Sequence, residues 1–476
     1  MKDMKKILLN ISAVLAGCLT MVSCFNLDEQ VFDKMDASIY YADESSVQGA
    51  VASIYSLCIE KYPEFCYFLQ EFPADQITWR SWNGGSWGWD EGEKFVLSAH
   101  GWTSESKIIR TAWEGAWSAI GLCNNVVYDL SKINPESIGM TQEAIDAYIA
   151  EVRTLRAWAY YNIYELWGGA LPLNVTSTSE SSVIPGTADP DFDKSSKKIF
   201  DFIIKELDES LDNLKQNSVN RMNQATNRVI KARLLLNAEV FIKDDRYAEC
   251  ATLCQSIIDG DFGQYSIAND YRDIYSMNNT ECPEVIMAFA YSEANKHNAN
   301  MRTMPFLSYV YKETFGMRSC SQNAWNCCCI VPSYDNTGNV QPYGGTDGGV
   351  CFLSEKYGDK LGAVYARFND KDIRKKPFKA NVDGTYEGMF LMGEQKDYAT
   401  GEPLLCDAER EKRQDPLVYV DQVGTFIWNE LEDCRELAPV MNPRWGETNS
   451  GYRLIKYPIF PDATGINFVD IDEVEF

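Results

Sequence analysis

The sequence predicts a mainly α protein: a helical scaffold joined to a large, irregular, loop-rich region with a few short strands. Three observations carry this. Apolar residues recur at three- and four-residue spacing through six segments between Asp43 and Asp259. Two of these, Thr226 to Ile242 and Tyr247 to Asp259, form a helix pair of about 34 residues, the length of a stacking repeat unit. From Tyr265 onward the periodicity fades, and Gly, Asn, Asp and Pro become frequent. The 476 residues suffice for one large domain or two to three ordinary ones with ample core.

The N-terminus reads as an export signal over residues 1–23. Lys2, Lys5 and Lys6 precede an apolar run from Ile7 to Val22, and Ser23 follows. That run has 16 residues and contains Asn10, short of the ~20 apolar residues a bilayer span needs. Met21-Val22-Ser23-Cys24 resembles the lipobox of bacterial lipoproteins, with Met21 where that box prefers Leu. The resemblance implies that Cys24 takes a diacylglycerol and becomes the mature N-terminus, a multi-chain anchor that holds stably. Residues 24–35 are then a tether. Its start, Phe-Asn-Leu-Asp28-Glu29, resembles signals that send lipoproteins to the cell surface.

Residues 36–264 hold the helices. The first, Asp43 to Ile59, turns Val47, Val51, Ile54 and Tyr55 to one face. Pro63 to Gly101 is irregular and aromatic. A helix from about Ser104 to Leu130 carries Ile108, Ile109, Trp113, Trp117 and Ile120 on one stripe. The strongest pattern is Thr141 to Trp167, with Ile145, Ile149, Val152, Leu155, Ala159 and Ile163 inward; Thr141 caps its start and Gly168-Gly169 ends it. Arg153 and Arg156 lie three apart on this helix and are expected to bind carboxylates or loop carbonyls rather than ligand. Leu171-Pro172-Leu173 exits extended, Val175 to Asp193 is a loop, and Ser195 to Leu214 is helical. The small residues Ala232, Ala238 and Ala251 make the next helix pair tetratricopeptide-like. Residues 265–476 form the loop-rich part, where Val285 to Ala290 is one short apolar run.

Composition narrows the chemistry. With 44 basic and 69 acidic side chains, net charge −25, the field repels phosphate backbones, so nucleic acid is not an expected partner. Two histidines, His100 and His297, speak against His-dependent triads and His-based zinc sites, and no cofactor or metal is expected. Of 15 cysteines, removal of Cys18 and Cys24 leaves an odd number at irregular spacing, which reads as small buried thiols rather than zinc ligands, the adjacent Cys327, Cys328 and Cys329 included. The Gly/Asn/Asp-rich loop of residues 333–349 reads as turn chemistry, since it lacks the spaced carboxylates of a calcium loop.

Separated segments resemble one family. They are Ala150-Glu-Val-Arg-Thr-Leu-Arg-Ala-Trp-Ala-Tyr-Tyr-Asn-Ile-Tyr-Glu-Leu-Trp-Gly, Leu171-Pro-Leu, Arg228-Val-Ile-Lys-Ala-Arg-Leu-Leu-Leu-Asn-Ala and Tyr452-Arg-Leu-Ile-Lys-Tyr-Pro. With the lipobox they resemble the SusD/RagB family of surface glycan-binding lipoproteins. The resemblance implies a non-catalytic outer-membrane protein that captures oligo- or polysaccharide and delivers it to a SusC-like TonB-dependent transporter. It also implies further helices beyond residue 476, so the C-terminus reads as truncated, with lower stability expected.

Sugars offer an apolar ring face and a hydroxyl rim, which aromatic platforms and Asn, Asp or Arg match. Gln76 to Asp90 holds Trp79, Trp82, Trp87 and Trp89 among Arg80, Asn83 and three Gly. The family's platform Trp and neighbouring Asn match Trp82 and Asn83, with Trp79 a second candidate; its other aromatics fall near Tyr309 and Trp325. Two alternatives stay open: a glycoside hydrolase using two of the many carboxylates, and a surface receptor for peptides or glycoproteins.

Overall fold

The computed structural model describes residues 40–62, 67–178 apart from 75, 80–89 and 99, 188–291 apart from 277 and 278, 303–330 apart from 320–323, 364–406, 416–419, 426–429, 434–437, 448, 451–462 and 468–475. Cys24, Trp82, Asn83 and the loop at 333–349 lie outside them.

Among the described residues eight helices build the scaffold: α1 Glu44–Tyr62, α2 Glu93–Ser98, α3 Lys107–Leu130, α4 Gln142–Trp167, α5 Phe192–Ser210, α6 Gln224–Leu236, α7 Ala238–Ile242 and α8 Tyr247–Ile258. They pack in chain order: α1 on α3, α3 on α4, α4 on α5, α5 on α6, α6 on α8. This is the mainly α, tetratricopeptide-like arrangement expected. Ala112, Ala116 and Ala119 of α3 are buried; their small side chains let a neighbouring helix come close.

α4 departs from a one-faced helix. It is buried from Ala150 to Tyr164 except for half-buried Arg153. The polar face was not left to solvent, because α5 covers it and supplies partners. Thr141 caps α4 by accepting from Ala144 N at 3.2 Å. Gly168 ends it at φ 76°. A Cβ on Gly169 would lie 2.3 Å from Ser196 Cβ, so only glycine lets the exit pass α5. The Tyr160 hydroxyl donates to Asn174 O at 2.8 Å and ties that exit back.

α5 starts three residues earlier than the spacing indicated. The Asp191 side chain, not a residue near Ser195, caps it through Lys194 N at 3.3 Å. The first helix of the expected pair, Thr226 to Ile242, breaks at Asn237 into α6 and α7, and α8 is its second. Asn223 caps α6, and its amide also donates to Ile286 O at 2.9 Å, joining the scaffold to the strand Val285–Tyr291.

The described strands form six two-stranded antiparallel pairs, all of them beyond α8 except Ile77–Trp79. Val285–Tyr291 pairs with Phe468–Glu475, with register irregularities after Asp470. Most other strands have two to four residues. Isolated pairs of this length are weak by themselves; Ile77–Trp79 with Cys328–Ile330, and Phe390–Leu391 with Arg453–Leu454, rest on an apolar cluster around Phe68, Phe72, Trp79 and Phe390.

Candidate functional site

The two aromatic segments singled out in the sequence meet. The strand Ile77–Trp79 pairs antiparallel with Cys328–Ile330, Trp79 opposite Cys328. This register sets the Trp79 ring against Trp325, centroids 6.2 Å apart at 72°, an edge-to-face contact. Phe68 and Phe72 surround the ring at 6.3 and 6.2 Å. Lys94 of α2 caps it, Nζ 4.7 Å from the centroid. The same ammonium pairs with Asp90 at 2.7 Å. That hydrogen bond holds the Asp90 carboxyl below its ordinary range, against the opposing effect of burial. Lys94 thus links Trp79 to Asp90 across the intervening segment. Asp90 and Glu91 both take left-handed φ, 47° and 58°.

Trp79, 2% exposed, is a floor rather than an open platform. A polar, Gly-rich neighbourhood suggested a surface ring, but strand pairing and the Lys94 stem cover it. Trp325 is half-buried, and its backbone N–H donates to Met304 O at 2.9 Å. Tyr309 is half-buried in the turn before Tyr311–Phe315. Trp82 and Asn83 follow Trp79 by three and four residues and fall outside the described residues.

Sequence reasoning missed two supports. Lys94 gave no signal. Arg453 sits in the Tyr452–Pro458 motif, but its task was not legible: fully buried, it donates to Cys328 O at 2.5 Å and to Thr448 O at 2.8 Å, with its guanidinium 4.9 Å from the Tyr419 ring. Arg453 therefore props the strand that holds Trp79. Its own strand, Arg453–Leu454, pairs with Phe390–Leu391.

A scan against protein-family models finds no match. The starch-binding protein SusD of Bacteroides thetaiotaomicron is 25% identical over 218 residues, 44% of this chain and 34% of that one. The match therefore spans about a third of that relative's length. A crystal structure of a SusD superfamily protein from Parabacteroides distasonis superposes with a TM-score of 0.55 at 14% identity, covering 89% of this chain and 72% of that one. The chain therefore shares the fold of that SusD superfamily protein.

The segments that suggested this relationship have structural work in the SusD-like scaffold. Arg153 and Arg156 bind carboxylates, as their spacing indicated. Arg156 Nε donates to Glu206 Oε2 at 2.7 Å, and its Nη1 to Asn124 Oδ1 at 2.9 Å. Arg153 reaches Glu206 at 3.0 Å and Glu209 at 2.6 Å. Arg228 holds Asp208 at 2.9 Å and the Leu207 carbonyl.

Among the described residues no cluster of His, Cys, Asp and Glu could hold a metal, and no helix is long and apolar enough to cross a membrane. Cys58 and Cys123 are buried free thiols. Burial pushes Cys123 up to about 12, so it packs as a protonated, small apolar group at neutral pH.

Proposed function

We propose that this protein binds oligo- or polysaccharide at the cell surface and delivers it to a SusC-like TonB-dependent transporter, without catalysis. One observation carries the reading: the SusD-like scaffold joins two aromatic-rich segments, and the relative matched over 218 residues is named a starch-binding protein. Trp82 and Asn83 are the proposed primary contacts, and Tyr309 and Trp325 are proposed as further ones. Trp79 supports Trp325 from below. Indole and phenol rings suit the apolar face of a sugar, and Asn83 suits its hydroxyl rim. Cys24 is the proposed lipid anchor, placing the protein on the outer face of the outer membrane.

The test is native gels cast with starch, xylan, mannan or laminarin, run beside an assay for newly released reducing ends. Retardation by at least one polymer, with no release, is expected. Release of reducing ends would instead identify a glycoside hydrolase. Neither retardation nor release would overturn glycan binding in favour of a receptor for peptides.

A further inference from the structure

A second aromatic site lies beside the first. Where the chain enters α3 and leaves α4, a cleft of about 560 Å³ opens, within the ~300–1,000 Å³ typical of small-molecule sites. Three indoles line it: Trp102, Trp113 and Trp167. Trp113 and Trp167 stand 5.3 Å apart at 70°, edge to face. Trp102 is 41% exposed. Thr103, Ser104 and Arg110 add a polar rim. The Arg110 side chain is 60% exposed, and its pair with Glu114 is stretched to 4.0 Å, a contact that holds a guanidinium weakly. Leu69 and Leu97 line the cleft and also belong to the cluster around Trp79. The two aromatic sites therefore share a wall.

We propose that this cleft is a second saccharide site, taking one or two neutral sugar rings of the same glycan. The inference rests on the glycan-binding reading above. Ring faces would stack on the indoles, and hydroxyls would bond Arg110, Thr103 and Ser104. A purely apolar guest fits less well, because it would desolvate the guanidinium and the two hydroxyls without replacing their hydrogen bonds. A polyanionic glycan is disfavoured by the net charge of −25. The cleft lengthens the surface along which a polymer can be held, so its contribution grows with chain length.

The experiment titrates maltohexaose, xylohexaose, mannohexaose and laminarihexaose calorimetrically into the full chain. The variants are Trp82→Ala, Trp102→Ala, Trp102→Phe and Arg110→Ala, each checked for folding by circular dichroism. Trp102 and Arg110 are exposed, so their replacement leaves the fold standing. For a hexaose that binds the wild type, Trp102→Ala is expected to weaken binding about tenfold, Arg110→Ala less, and Trp102→Phe to keep most of the affinity. A folded Trp102→Ala variant with wild-type affinity, beside a weakened Trp82→Ala, would remove the cleft and leave glycan binding intact. A wild type silent to all four hexaoses would overturn the glycan reading, and the cleft with it.

Discussion

In the helical half the buried Arg156 meets a carboxylate, Glu206, whereas in the loop-rich half the buried Arg453 donates to the backbone carbonyls of Cys328 and Thr448. Helices satisfy their own carbonyls along most of their length, so a buried arginine between them must find a side chain. Strands of two or three residues leave carbonyls over, and a planar guanidinium with five donors can collect them. The same residue type thus clamps helix to helix in one half and organises irregular backbone in the other. The second use lies next to the aromatic site.

This contrast separates stability from binding. The largest expected effect is on stability alone. Arg156→Ala leaves Glu206, its side chain 4% exposed, with Arg153 as its remaining described ion partner, and should cost about 3 kcal/mol in chemical denaturation. Its glycan affinity per folded molecule should equal that of the wild type. A loss of affinity would mean the two halves are coupled more tightly than their packing indicates.

Arg453→Met should cost about 2 kcal/mol, since it strips donors from two buried carbonyls while keeping much of the side-chain volume. Unlike Arg156→Ala, it should also lower glycan affinity, because Cys328–Ile330 positions Trp79 and, through it, Trp325. Calorimetric titration beside a denaturation curve checks both. Unchanged affinity in a destabilised Arg453→Met variant would disconnect the motif from the site.

The smallest effect is a pH dependence arising at one ion pair of the loop-rich half. Hydrogen bonding to Arg272 holds the Asp270 carboxyl down to about 2, and Arg272 also donates to the Tyr386 carbonyl. A depressed carboxyl contributes stability that is full above its ordinary value near 3.8. The contribution is lost as pH falls toward 2. Both side chains are about one-third exposed, which keeps the effect small. Asp270→Asn should therefore flatten the fall in melting temperature between about pH 4 and pH 2. An equally steep fall in the variant would assign the acid sensitivity to other carboxylates.

The two halves also differ in what their sequence disclosed. α1, α3 and α4 were legible because apolar spacing and a capping residue such as Thr141 are local signals. The start of α5 was misplaced because Asp191 caps from a segment that otherwise reads as loop. In the loop-rich half, Ile77–Trp79 finds its partner some 250 residues away at Cys328–Ile330, and no local pattern encodes such a pairing. Trp79 and Trp325 were candidates through the family resemblance, and the structure brings their rings into contact. The burial of Trp79 depends on Lys94 arriving from α2, which residue type alone does not reveal. The cleft at Trp102, Trp113 and Trp167 was hidden for a related reason: the spacing of Trp113 assigned it to the α3 core stripe, and Trp167 reads as the end of a helix.

The most direct test of the account is the affinity of Trp82→Ala for a hexaose that binds the wild type, measured by calorimetry on folded protein. A loss of about 1–3 kcal/mol is expected, the scale for removing one large apolar contact surface. Wild-type affinity in that variant would contradict the claim that the aromatic segment following Trp79 in the sequence holds the glycan.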